Sequence, residues 1–319
     1  MVTTDAISFA GQVAIVTGAR RGLGRAHALD LARRGAAVVV NDLGRNGDAP
    51  TVDAVVAEIE QAGGTAVASY DSVATAAGGR ALVELALERF GTVDAVVNNA
   101  GVLRNANFED LTGEQLDDVI DVHLKGAFFV TQPAFEIMRD KGYGRIVLTS
   151  SSAGVFGMGG LANYAAAKAG LIGLGRALAV EGAEFSIRTN CILPYGNAPW
   201  RGPSAHASRG TGVFADHDVL RPRMEPETVS PLVSYLASRD CSVTGEIFSA
   251  LAGRFARAFV GLSPGWLADD PSAVAAEDVR EHFDQIRSTE GFWVPATLSE
   301  EQRSVADVLR AGAPSETSR

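Results

Sequence analysis

The stretch VAIVTGARRGLGRAHALDLARRG, residues 13–35, constrains this chain more than any other: an apolar β-branched run breaks into glycines and continues as a helical pattern. Gly18, Gly22 and Gly24 let a backbone approach a pyrophosphate and let the helix lie tight on the strand. Free N–H groups at the helix start would receive the negative charge. The glycines stand in the strand-turn-helix context that such a site requires. The alternation continues along the chain. QVAIVTG, AAVVVND, TAVASYD, VDAVVNNAG, GRIVLTS and IRTNCILP read as strands, with helical patterns between them. Short apolar runs without polar alternation fit strands buried on both faces, hence a parallel sheet covered by helices. The expected architecture is a doubly wound α/β domain.

Residues 1–252 read as that domain, with a loop at residues 197–224, rich in Gly, Pro, Arg and Ser, as a lid or binding loop. Residues 253–310 form an extension, and the polar tail 311–319 reads as disordered. A formal net charge of −10 argues against nucleic acid as a main partner. The beginning, MVTTDAISFAGQ, has neither a basic nor an apolar leader region. No run of about 18 apolar residues suggests a membrane span, so a cytoplasmic location is expected. Cys191 and Cys241 stand apart as ordinary thiols, and the five histidines form no ligand motif, so no metal is expected.

The second strand ends in Asn41-Asp42, where a carboxylate can accept hydrogen bonds from a ribose and repel a 2′-phosphate. Arg20, Arg21 and Arg45 pull the other way, because arginines can hold that phosphate. The reading is NAD rather than NADP. Farther on, LANYAAAKAG sets Tyr164 and Lys168 four residues apart on one helical face. On burial habits alone, such a pair is a packed ring beside a snorkelling amine.

TGxxxGxG at the first turn, NNAG at residues 98–101 and the YxxxK pair together closely resemble the short-chain dehydrogenase/reductase family, over residues 11 to 245. The resemblance implies a single Rossmann-type domain that carries the cofactor and substrate sites together. It places Gly18, Arg21, Gly22, Leu23 and Gly24 at the pyrophosphate, Asp42 at the ribose, and Asp71 and Ser72 at the adenine. Asn98, Ala100 and Gly101 would brace the central strand against the cofactor. Tyr164 becomes the proton-transfer group, with Lys168 favouring its phenolate and binding the nicotinamide ribose. Ser151, thirteen residues before Tyr164, becomes the serine that orients substrate. Ser150 and Ser152 leave that assignment open by spacing, although strand alternation gives them a different direction.

NDLG, ASYDSV, VVNNAGVLRNANF and VHLKGAFFVTQPAF resemble one branch in particular, the (3R)-hydroxyacyl-CoA dehydrogenase units of peroxisomal multifunctional enzymes. His123 stands where many family members have Asn, either in a relay to the lysine or merely packed. Tyr195 departs from a common Pro-Gly and either borders the nicotinamide pocket or packs there. The expected function is NAD-linked oxidation of a secondary alcohol, with a (3R)-hydroxyacyl-CoA first among substrates. The rivals are a steroid or other bulky apolar alcohol, favoured by Trp200 and Phe214 in the loop, and a nucleotide-binding scaffold without turnover. Arg201, Arg209, Arg221 and Arg223 either meet CoA phosphates or are solvated. Phe255, Phe259, Leu262, Trp266, Phe283, Phe292 and Trp293 are too many to leave in water and too few for a separate core. The extension is therefore expected to pack on the domain or on the second subunit of a homodimer, covering the substrate side.

Overall fold

A computed structural model describes residues 6–44, 51–196 and 217–312. Most of the expected loop at 197–224, including Trp200, Arg201, Arg209 and Phe214, lies outside the described residues, as do Arg45 and the tail. The chain divides into two compact units, Met1–Arg257 and Ala258–Arg319.

The first unit alternates strand and helix through β1 (Val13–Thr17), α1 (Gly22–Arg33), β2 (Ala37–Asn41), α2 (Val52–Gln61), β3 (Thr65–Ser69), α3 (Ala76–Phe90) and β4 (Ala95–Asn98). It continues with α4 (Gly113–Ile120), a five-residue π-helical segment (Asp121–Lys125), α5 (Gly126–Lys141), β5 (Gly144–Thr149), α6 (Ser152–Phe156), α7 (Ala162–Glu181) and β6 (Ile187–Tyr195). Then follow α8 (His217–Leu220), α9 (Ser230–Ala237), β7 (Ile247–Leu251) and β8 (Arg254–Ala258). The sheet order is β3-β2-β1-β4-β5-β6-β7-β8, with every pairing from β3 to β7 parallel. All six expected strands form. Every residue of β1, β4 and β5 is buried, as strands covered on both faces require.

One face of the sheet carries α1, α2 and α9, where Leu31, Val55, Ile59 and Val233 meet Val16, Val38 and Val97. The other carries α3, α5 and α7. The order reverses between β1 and β4, because β2 and β3 lie on one side of β1 and all later strands on the other. Ligands of such sheets sit beyond the strand ends at that reversal. Two elements went unread in the sequence, β7 and β8. They are joined by Ala252 and Gly253, both at positive φ (53° and 84°), the two-residue turn that matches hairpin twist. The sheet thus extends past Ala252.

The second unit holds α10 (Ala276–Glu281), α11 (Phe283–Arg287) and α12 (Leu298–Gly312). Leu262 and Trp293 exchange two backbone hydrogen bonds of 2.9 Å. Phe259 stacks on Phe292 and Trp266 on His282, with centroids 5.7 and 4.1 Å apart. None of its described residues is buried. Among the described residues of the chain, no helix is long and apolar enough to cross a membrane.

Candidate active site

The glycine turn after β1 is shaped by contacts that forbid side chains. Gly18 has φ +64°, and a Cβ there would stand 2.7 Å from Ala100 Cα. A Cβ on Gly24 would stand 2.3 Å from the Gly18 carbonyl oxygen. The turn is therefore pressed against the end of β4, and α1 against the turn. Asn99 locks the arrangement. Its side-chain amide donates to the carbonyls of Thr17 (3.0 Å) and Gly18 (3.2 Å). The backbone N–H groups of Asn99 and Ala100 both donate to Thr17 Oγ1 at 3.0 Å. Asn98 points elsewhere, giving its amide to Thr131 on α5 at 2.8 Å. Bracing of the turn falls to Asn99 and Thr17, which the sequence reading did not single out, because successive strand residues face opposite sides.

The start of α1 is open in the sense that a phosphate needs. Thr51, Thr75 and Thr112 cap α2, α3 and α4 with their side chains. Arg21, the residue before α1, makes no side-chain cap. The first N–H groups of α1, beside glycines that admit close approach, suit a pyrophosphate. At the end of β6, a Cβ on Gly196 would touch Leu23 at 3.0 Å, which sets Leu23 between the turn and β6.

Asp42 follows β2, and its carboxylate lies 3.6 Å from Arg20 Nε, with side chains 23% and 11% exposed. The two residues that argued for opposite cofactors thus form one pair. Asp71 follows β3 and accepts the Ser69 hydroxyl at 2.9 Å, while its carbonyl accepts the Asn41 amide at 2.9 Å. Ser72 turns its oxygen to the Ala74 N–H at 3.3 Å. Asp42, Asp71 and Ser72 therefore line neighbouring strand ends on the side where the glycine turn opens.

Beyond β5 the three serines separate. Ser150, buried, donates to the Lys168 carbonyl at 2.7 Å. Ser152 opens α6. Ser151 accepts the Ala153 N–H at 3.2 Å as the cap of α6, and its hydroxyl is also hydrogen-bonded to the Tyr164 side chain. Lys168, 3% exposed, donates its ammonium to the Thr149 carbonyl and lies 5.5 Å from the Tyr164 ring centroid. Ser151, Tyr164 and Lys168 converge on one volume at the end of β5.

The charges there differ from the expectation. Burial pushes the Tyr164 phenol up from its ordinary value, opposed by the Ser151 hydrogen bond. Burial also pulls Lys168 down to about 7. The chain alone therefore does not lower the phenol, because desolvation penalises the charged form of both partners.

His123 lies in the π-helical segment, buried, with Nε2 3.0 Å from the Val102 nitrogen and 2.7 Å from its carbonyl oxygen. Its ring meets Tyr164 edge-on, with centroids 5.2 Å apart and planes at 88°. Burial first, then the charge of Lys168, hold the imidazole neutral. Tyr195, half-buried, is raised by burial and by its electrostatic interaction with Tyr164, which sets it on the same side.

Residues 12–199 match the family described as short chain dehydrogenase. The chain is 39% identical over 311 residues to peroxisomal multifunctional enzyme A of Dictyostelium discoideum, covering 96% of this chain and 66% of that one. It is 39% identical over 258 residues to hydroxyacyl-CoA dehydrogenase ChsB1 of Mycobacterium tuberculosis, covering 77% and 79%. The structure of full-length peroxisomal multifunctional enzyme type 2 from Drosophila melanogaster superposes with a TM-score of 0.78 at 34% identity, covering 96% of this chain and 50% of that one. This chain thus spans only 40% to 66% of the length of its multifunctional relatives. With the glycine turn, the strand-end residues and the Ser-Tyr-Lys convergence in place, the chain belongs to the short chain dehydrogenase family, oxidoreductases that use a nicotinamide cofactor.

Proposed function

We propose that this chain interconverts a (3R)-hydroxyacyl-CoA and its 3-ketoacyl-CoA with NAD. The observation that carries the reading is the convergence of Ser151, Tyr164 and Lys168. The relatives named as hydroxyacyl-CoA dehydrogenase and as multifunctional enzymes supply the substrate class. A nicotinamide cofactor, which the glycine turn and α1 N-terminus would hold, would supply the hydride acceptor and, in its oxidised form, a positive charge. The chain's own residues handle the proton. Ser151 and Tyr164 present two hydroxyls to one substrate oxygen, orienting the alcohol and sharing the charge that develops on it. Tyr164 takes the hydroxyl proton. Its phenolate is stabilised by cationic Lys168, which Thr149 holds in place by its carbonyl. Ser150 and Thr149, gripping the backbone and amine of Lys168, keep α7 in register with β5.

NAD rather than NADP is the cofactor of this reading, since Asp42 stands after β2, where the resemblance puts the ribose, and its pairing with Arg20 engages one of the guanidinium groups that could hold a 2′-phosphate. Asp42→Ala removes the repulsion toward a 2′-phosphate and releases Arg20, so the preference for NAD narrows by about tenfold or more. Titration of both cofactors by fluorescence checks this, and a wild-type preference for NADP overturns it. In this reading the protein acts as a homodimer. The cytoplasm is the compartment of this reading, although relatives are named peroxisomal, and fractionation decides. The direct test is reduction of NAD with matched (3R)- and (3S)-hydroxyacyl-CoA thioesters and with sterols. Turnover of the (3R) thioester alone supports the reading, and turnover of sterols alone replaces it with the bulky-alcohol alternative.

A further inference from the structure

Asn41 is the odd residue of β2: Val38, Val39 and Val40 before it are apolar, yet Asn41 is buried as they are, at 1% exposure. A buried amide is costly unless its hydrogen bonds are made. The Asn41 amide nitrogen makes them at the end of β3, donating to the Asp71 carbonyl at 2.9 Å, to Ser69 Oγ at 3.3 Å and to the Ser69 carbonyl at 3.4 Å. Ser69, also buried, passes the grip on. Its hydroxyl donates to Asp71 Oδ2 at 2.9 Å and accepts the Asp71 N–H at 3.3 Å. The Asn41 carbonyl meanwhile accepts the Ala19 N–H of the glycine turn at 2.7 Å, and the Asp42 N–H donates to the Ser69 carbonyl at 3.2 Å. The ends of β1, β2 and β3 are thus tied at one residue. Ser72 is held from the other side, where a Cβ on Gly78 would stand 2.1 Å from its carbonyl oxygen and the Thr75 hydroxyl donates to that oxygen at 3.3 Å. Asp71 therefore has one carboxylate oxygen fixed by Ser69 and clamped backbone before and after it. Among the described residues, its Oδ1 takes no hydrogen bond.

We propose that Asn41 and Ser69 are positioning residues for Asp71 that make this chain selective for adenine: with Oδ2 held by Ser69, Oδ1 is left to accept the 6-amino group of the base. The inference rests on the dinucleotide reading above, with Asp71 at the adenine. A carboxylate only accepts, so it favours a 6-amino base and repels a 6-oxo base, whose oxygen is an acceptor too. Such discrimination needs the carboxylate to stay in place. A free Asp could swing from a 6-oxo base into water at little cost, whereas one tied to a buried Ser–Asn pair cannot move without leaving buried polar groups unpaired. That sets Asn41 apart from a residue that merely joins strands, because joining strands would serve any dinucleotide equally.

The test is equilibrium binding of NAD and of nicotinamide hypoxanthine dinucleotide, which carries an oxygen in place of the 6-amino group, to wild type, Asn41→Leu, Ser69→Ala, Asp71→Ala and Asn41→Leu/Asp71→Ala. Thermal melting serves as the folding control. Wild type is expected to prefer NAD by about tenfold, the yield of one hydrogen bond to a charged group. Asp71→Ala should bring the ratio of the two dissociation constants close to unity. Asn41→Leu and Ser69→Ala should lower it to about threefold or less, and adding Asn41→Leu to Asp71→Ala should change it no further, because Asn41 acts through Asp71. Equal weakening of both dinucleotides in Asn41→Leu and Ser69→Ala, with the wild-type ratio kept, overturns the proposal and leaves Asn41 a strand tie. So does a ratio that differs between Asp71→Ala and the double variant. Should Asn41→Leu fail to fold, Ser69→Ala decides alone. An Asp71→Ala protein that keeps the full ratio, or a wild type that binds both dinucleotides equally, overturns the proposal while the cofactor reading stands. A wild type that binds neither overturns the cofactor reading itself.

Discussion

In the unit Met1–Arg257 many large side chains, among them Phe9, Ile146 and Leu193, are fully buried, whereas no described residue of Ala258–Arg319 is buried. The first unit is held by contacts between distant parts of the chain, such as Asn99 to Thr17 and Val13 N–H to the fully buried Asp94 carboxylate at 2.8 Å. Among its described residues the second is held by one backbone bridge, two stacked ring pairs, the side-chain bonds of Ser263 to the Ile286 carbonyl and of Gln285 to the Gly265 carbonyl, and local bonds. Phe259, Leu267, Phe283 and Phe292 remain 46% to 53% exposed there. Helices and turns can form from local preference, but their stability comes from tertiary burial. The comparison teaches that the first unit can define its site by itself. The second has its secondary structure but needs a surface outside itself to become dry.

The largest expected effect lies wholly within the first unit. Tyr164→Phe should reduce turnover by about 10²- to 10⁴-fold, the usual contribution of a general base, with NAD affinity unchanged. Steady-state rates and cofactor titration check both halves, and the same loss is expected whether or not residues 258–319 are present. Next comes a pH effect that belongs to the first unit alone. His27, buried against the Ser230 hydroxyl at 2.9 Å, is pulled from 6.5 to about 3 by desolvation, with Asp30 opposing. Between those values the unfolded chain binds a proton that the folded chain refuses. Stability contributed by neutral His27 is therefore present above pH 6.5 and lost as pH falls toward 3, by about 1.4 kcal/mol per pH unit at most. Chemical denaturation across that window should show a shallower slope in His27→Gln. A slope that vanishes on deleting the second unit instead would break the comparison.

Ending the chain at Arg257 should leave cofactor affinity intact, raise KM for the thioester by about tenfold, equivalent to about 1.4 kcal/mol, and alter the oligomeric state. Sedimentation and kinetics measure this. A truncated protein that keeps its assembly and its KM shows that the second unit is an appendage. The smallest effect sharpens the contrast at one helix. Thr112 and Gln115 form a reciprocal cap on α4, and Thr112→Ala should cost about 1 kcal/mol in thermal unfolding. Restriction of that loss to the first unit's transition would mark the units as separately stable.

The sequence made the sheet legible because strands buried on both faces leave unbroken apolar runs, and all six of those runs form strands. It made the glycine turn legible because Gly18 takes positive φ and Gly24 lies against the Gly18 carbonyl six residues before it, although the wall that Gly18 presses on, Ala100, comes from far along the chain. The hairpin of β7 and β8 was not legible, since RFARA has neither the apolar run nor the usual Asn-Gly turn, and Ala252 takes up positive φ instead. Nor were the partners of Tyr164. Thirteen residues of spacing left three serines in play until the end of β5 turned Ser150 to the Lys168 carbonyl and Ser151 to the phenol. Asn98 and Asn99 are equivalent in a motif but not in a pleat. Likewise the phenol's own preference reflects burial, which no spacing encodes.

The outermost strand bears on how the protein survives at high concentration in a cell. A strand at the rim of a sheet offers unpaired amides and carbonyls to any other extended chain, the usual start of edge-to-edge aggregation. In β8 that rim carries Arg254 and Arg257, and Arg257, half exposed, is drawn to Glu246 at 3.1 Å. A foreign strand adding there would have to strip water from two guanidinium groups beside the exposed ring of Phe255. The arginines thus serve as gatekeepers against fibre-like addition. Exchanging both for valine would leave the fold intact and make the protein prone to precipitate.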